Sequence, residues 1–109
     1  MSSRYWRIVE MPGFDQEDAD MEVPAFINFE KKGLGSFQFI LVRGELDARF
    51  EEAEGKPCVK FAWIGMDELD EVSGRGEAYV DETGNKMEGT IYLFQGGDYR
   101  FRASKEKKK

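Results

Sequence analysis

Two stretches of the chain hold most of the side chains that could do chemistry. The first is Asp67-Glu68-Leu69-Asp70-Glu71, four carboxylates within five residues. Oxygen ligands at such density suit a hard cation such as calcium or magnesium. Leu69 interrupts the series, however, and the Asp-x-Asp-x-Asp-Gly spacing of a calcium loop is missing. The pattern fits a solvated hairpin turn whose charges discourage edge-to-edge sticking, and no metal is assigned to it. The second stretch is Ser73-Gly74-Arg75-Gly76-Glu77. Glycines on both sides of Arg75 allow a close backbone approach, and its guanidinium could clamp a carboxylate or phosphate. Neither the G-x-G-x-x-G spacing nor a following helix is present, so a cross-strand pair with Glu88 or with a turn carboxylate is the expected role.

Three further features qualify as candidates. Gln95-Gly96-Gly97-Asp98 offers a carboxylate that could act as a base, although a turn aspartate bonding to its own backbone is the commoner arrangement. Cys58 opens an apolar run and reads as a small buried hydrophobe. The aromatic set Phe37, Phe39, Phe50, Phe61, Trp63, Tyr99 and Phe101 falls on one face by alternation. It would either fill a core or line a pocket with Trp63 and Tyr99, each of which carries an apolar body and one polar handle. Arg43, Arg75 and Glu77 would then orient a ligand at the mouth.

Composition removes whole classes of mechanism. There is no histidine and only one cysteine. Ser-His-Asp and Cys-His catalysis, histidine metal sites, thiolate zinc sites and iron–sulfur clusters are thereby excluded. A lone cysteine forms no internal disulfide, which suits a reducing compartment. The formal net charge of −6 argues against binding nucleic acid or an anionic membrane surface. The N-terminus shows no secretory signal and no run reaches the length of a membrane span, so a cytoplasmic location is expected. No cofactor is implied.

The elements that must position these residues are strands. Aromatics make up 14% of the chain, and twelve glycines against three prolines suit a chain of strands and tight turns. Alternation places Trp6 and Ile8 on one face, then Ala25, Ile27 and Phe29, with Pro24 at a strand start or edge. Residues 14–22 are acidic and read as a loop, with a single helical turn beginning near Asp15 as the alternative. Phe37, Phe39 and Leu41 share a face. Arg43-Gly44 then reads as a bulge or a tight hairpin, before Leu46, Ala48 and Phe50 resume the pattern. Val59, Phe61 and Trp63 point one way. Beyond the acidic turn Gly74, Gly76, Ala78 and Val80 share a side. Gly84-Asn85 marks a hairpin, Gly89, Ile91 and Leu93 follow, and Tyr99, Phe101 and Ala103 close the series.

Roughly seven or eight short strands at regular spacing predict an antiparallel meander. A small closed or partly open β-barrel is expected over a two-sheet sandwich, because glycines in mid-strand permit the tight bends of closure. One domain, residues 1–104, is expected, with a lysine-rich disordered tail at 105–109.

The run Phe61-x-Trp63-x-Gly65-x-Asp67-Glu68-x-Asp70, then Ser73-Gly-Arg-Gly76, Met87-x-Gly89-x-Ile91 and Gly97-Asp98-x-x-Phe101-x-Ala103, resembles a group of small uncharacterised prokaryotic proteins. The similarity covers about the C-terminal half. It brings no activity with it and implies that the acidic turn and its flanking strands form a unit. That pattern would place a histidine near Gln95, which this chain lacks.

Three functions are compatible with these residues. A non-catalytic module would hold a small apolar or aromatic ligand in or at the mouth of the barrel, using Trp63, Arg75, Glu77, Tyr99 and Arg43. A protein-interaction module would use an exposed sheet face carrying Tyr79, Tyr92 and Phe94, in its simplest form a homodimer. A carboxylate enzyme, the least favoured, would need Glu77 and Asp98 to converge on one cleft.

Overall fold

A computed structural model describes residues 4–106 of the chain. Eight antiparallel strands follow one another around a closed barrel. They are β1 (Arg4–Glu10), β2 (Phe26–Phe29), β3 (Leu34–Phe39), β4 (Val42–Ala53), β5 (Lys56–Asp67), β6 (Asp70–Val80), β7 (Lys86–Leu93) and β8 (Asp98–Glu106). A one-turn helix, α1 (Gln16–Ala19), lies between β1 and β2, and a short 3-10 turn spans Lys31–Gly33. Among the described residues no helix is long and apolar enough to cross a membrane.

Closure is made by β1 against β8, with Trp6 opposite Lys105 and Ile8 opposite Ala103. The register slips between Ile8 and Glu10, a bulge that adds local twist where the sheet meets itself. The β8 ladder continues through Glu106, so Lys105 and Glu106 belong to the barrel and not to a tail. Residues 107–109 lie outside the described residues.

Period-two alternation decides what lies inside. Trp6, Ile8, Ile27, Phe29, Phe37, Phe39, Leu46, Phe61, Trp63, Ile91, Phe101 and Ala103 are all buried in one apolar cluster. Edge-on ring contacts lock them: the Phe37 and Trp63 centroids are 5.0 Å apart at 78°, the favoured T-shaped geometry. Three rings cover two glycines of neighbouring strands. A side chain on Gly44 would meet Phe37 and Trp63, and one on Gly76 would meet Phe61.

Bending around so small a circumference brings neighbouring backbones close. At Gly65 a Cβ would fall on the carbonyl oxygen of Arg43, and at Gly74 on that of Tyr92. Only a residue without a side chain fits at those two points.

One mouth of the barrel is plugged by the β1–β2 connection. Met11, Ala19 and Ala25 from this segment join the core. Phe14 packs on Tyr99, with centroids 5.9 Å apart, and the Ile40 amide donates to the Ala19 carbonyl at 2.8 Å. The connection thus reaches from the start of β8 to the β3–β4 turn. The loop expected over 14–22 contains the helical turn α1, because burying Ala19 requires its backbone groups to be paired locally. Glu17 and Asp18 in its first turn suit the positive end of a helix.

Two other expectations are corrected. The β3–β4 hairpin turns at Ile40-Leu41, with Phe39 opposite Val42, and not at Arg43-Gly44. Ile40 takes a positive φ of 52° without the Gly or Asn that advertises such a turn, because its amide and side chain are held by the plug and core. Phe50 was expected inside but is 50% exposed. Pairing of β3 with β4 ends at Leu34–Asp47, so β4 runs on beyond its neighbour and leaves one flank of Phe50 uncovered, although its ring still meets Phe29.

A substitution series checks the closure account. Gly65→Ala is expected to destabilise the protein by about 2–3 kcal/mol through backbone overpacking. Gly97→Ala, where a Cβ meets nothing within 4 Å, should stay within about 0.5 kcal/mol of the parent. Urea midpoints read both.

Candidate functional site

The ligand-binding set expected from the sequence does not assemble in one place. Trp63 is buried in the barrel, where its indole N–H donates to the Arg75 carbonyl at 3.3 Å. Tyr99 is half-buried, with its ring in tilted contact with Phe14 and Phe39. Both are core side chains. Arg75, Glu77 and Arg43 point to the outer wall, on β6 and β4.

The juxtaposition of Trp63 with Gly74-Arg75-Gly76 expected for a hairpin does form, Trp63 lying opposite Gly74. The expected ion pair between Arg75 and Glu88 does not. Arg75 stands opposite Ala62 and Tyr92, whereas Glu88 stands opposite Arg102 and pairs with it at 3.6 Å. Four residues along β7 separate the intended partners, since Glu88 lies opposite Tyr79 on β6.

The acidic stretch is the β5–β6 hairpin tip. Asp67 pairs with Asp70, and the Glu68 amide donates to the Leu41 carbonyl at 3.0 Å, tying this tip to the β3–β4 turn. Among the described residues no three metal-ligating side chains converge. Cys58 is buried beneath Tyr79, its cross-strand neighbour. Tyr79 has its hydroxyl pKa raised, first by the charge of Glu77 and then by the Cys58 thiol.

The exposed rings Tyr79 and Phe94 border different concavities. Tyr92 bonds weakly to Glu77 at 3.5 Å, and Tyr79 borders two concavities on the β6–β8 side. Phe94 lies past the end of β7, its amide donating to the Ser73 carbonyl at 2.8 Å. Glu77 borders a concavity of about 300 Å³ that Asp98 does not reach.

What sequence reading missed is a trough across the outer wall. It has a volume of about 1020 Å³ and crosses the strands instead of following one. One row of outward positions runs Phe26, Gln38, Arg43, Met66, Glu71 from β2 to β6. The next runs Ser36, Glu45, Ile64, Ser73, with Phe94 beyond it. Four inter-strand gaps of ~4.8 Å give a path of about 19 Å along the curved wall. Ile64 is 67% exposed and Phe94 73%. Arg43 makes no ion pair or side-chain hydrogen bond among the described residues. Gln95 sits at the trough's end with a positive φ of 58°. Only exposed apolar residues on outward positions could have hinted at this surface, and their grouping depends on register.

The tightest polar cluster lies elsewhere. Arg7 donates to both carboxylate oxygens of Asp20, at 2.9 and 2.7 Å, and to the carbonyls of Ile8 and Ala25. Gln16 and the Ala25 amide also donate to Asp20. Every donor satisfies the plug against β1, so the cluster holds the mouth closed and offers no free group for chemistry.

Comparison with known proteins adds no function: no family model, curated protein or solved structure matches the chain.

The cluster has a pH signature. Hydrogen bonding from Arg7 holds Asp20 at about 2, below its ordinary 3.8. Its contribution is therefore complete above pH ~4 and is lost as pH falls through about 2. Both side chains are 23% exposed, so screening leaves about 1–2 kcal/mol. Asp20→Asn is expected to lower stability by that amount at pH 7, and the gap should close toward pH 2 in acid-dependent urea unfolding.

Proposed function

We propose that the protein is a non-catalytic interaction module whose working surface is the trough on the outer wall of β2–β6. The observation that carries this reading is the pairing of a filled interior with a concave exterior. The inward rings are committed to the core, whereas Ile64, Phe94 and an unengaged Arg43 are left facing solvent around one depression. Exposed apolar side chains rimmed by polar groups favour association.

The shape argues for a chain segment as occupant. Sites for small molecules bury most of their ligand's surface, and a trough running about 19 Å along the curved wall, open along its outer side, would leave such a ligand largely in water. An elongated segment would instead follow the two rows of side chains. Catalysis through Glu77 and Asp98 has no support from geometry, since they share no concavity. Tyr79 and Phe94 border different concavities, so a single ring patch is not the surface favoured here.

Selection from a displayed peptide library tests the reading. Peptides enriched on the parent protein are expected to bind Ile64→Lys and Phe94→Ser at least tenfold more weakly, with Tyr79→Ser unchanged. Enriched peptides that ignore both trough substitutions, or a failure to enrich any, would contradict it.

A further inference from the structure

The trough's electrostatics narrow the class of partner, given the reading of this surface as the binding site. Glu45 and Glu71 lie on its floor rows, on either side of Ile64 and Met66. Asp67, Glu68 and Asp70 crowd the hairpin tip beside it, next along the strands from the Met66–Glu71 pair. Against these stands one lining cation, Arg43.

The three most exposed large apolar residues among those described belong to the same neighbourhood. They are Leu69 at 89%, Phe94 at 73% and Ile64 at 67%. Leu69 is the outermost residue of the acidic hairpin, and Ile64 and Phe94 flank Ser73 on the trough itself. Apolar contacts and negative charge are thus interleaved.

We propose that the trough receives a cationic, apolar segment of a partner protein, with Lys or Arg side chains set between aliphatic or aromatic ones. Charge complementarity steers such a segment to the site and fixes its orientation. The apolar side chains of the segment cover Ile64 and Phe94, and its cations meet Glu45, Glu71 and the hairpin tip. Arg43 disfavours a cation set directly over it and accepts one carbonyl or carboxylate there. A second copy of this chain fits less well, because each copy carries a net charge of −6 and like charges oppose their approach.

A 12-residue lysine–leucine peptide and a glutamate–leucine peptide of the same pattern serve as probes, read by fluorescence anisotropy. The lysine peptide is expected to bind at least tenfold more tightly, with affinity falling as salt rises. The double variant Glu45→Lys/Glu71→Lys should invert that preference, whereas Glu77→Lys, outside the trough, should change it less than twofold. Phe94→Ser should weaken the lysine peptide on the parent protein with little change in salt dependence.

Equal sensitivity to Glu77→Lys would mean that overall acidity attracts the peptide, and would overturn the proposal. Tight binding of the glutamate peptide that Phe94→Ser abolishes would keep the trough as the site and overturn the partner's charge. Binding of either peptide that no trough substitution touches would overturn both. A stable dimer in sedimentation that Ile64→Lys dissociates would identify the occupant as a second copy and likewise refute the proposal.

Discussion

Eight strands close around an interior just wide enough for side chains to fill it or for one small ligand to enter, and here the buried rings occupy it. That constraint governs the rest of this molecule. It demands rings where neighbouring strands contribute glycine, as Phe61 does over Gly76 and Phe37 with Trp63 over Gly44. It demands glycine where backbones nearly touch, as at Gly65 and Gly74. It also commits the inward rings to packing, which is why the proposed binding surface lies on the outside of the wall.

The outer wall is ordinarily the convex side of a barrel. Here the long strands β4, β5 and β6 follow the short β2 and β3. The acidic tip is tied to the β3–β4 turn through Glu68 and Leu41, and Phe94 rises beyond the end of β7. These edges bound the depression. The same connections stabilise the fold, so the trough is a consequence of closure and not an added feature. At the plugged mouth Arg7 and Asp20 do the complementary job of holding the β1–β2 connection in place.

Most of the fold was legible as alternation. A period of two put Trp6, Ile27, Phe37, Trp63, Ile91 and Phe101 inside, and glycine-bearing strands pointed to closure. Local signals failed where tertiary contacts override them. Ile40 turns without glycine because the Ala19 carbonyl and the core hold it. Phe50 follows the inward pattern yet lies past the end of β3, and strand length relative to a neighbour is invisible in one sequence. The candidate site was the least legible part. Arg43, Ile64, Glu71 and Phe94 are scattered along the chain, and only pairing register sets them side by side. Among the residues expected to bind a ligand, Arg43 alone lines the trough. Trp63 and Tyr99 were attractive for their size and polar handles, which serve equally well in a core.

The central claim is that the inside of this barrel is core and its outside is site. Five isoleucines report on it directly: Ile8, Ile27 and Ile91 are buried at 0%, Ile64 is exposed, and Ile40 lies at the plugged mouth. Methyl-labelled isoleucine spectra recorded during titration with the lysine–leucine peptide would place the occupant. A shift of the Ile64 methyl with Ile8, Ile27 and Ile91 unmoved is the expected result. Movement of the three buried methyls with Ile64 unchanged would put the ligand inside the barrel and contradict the account.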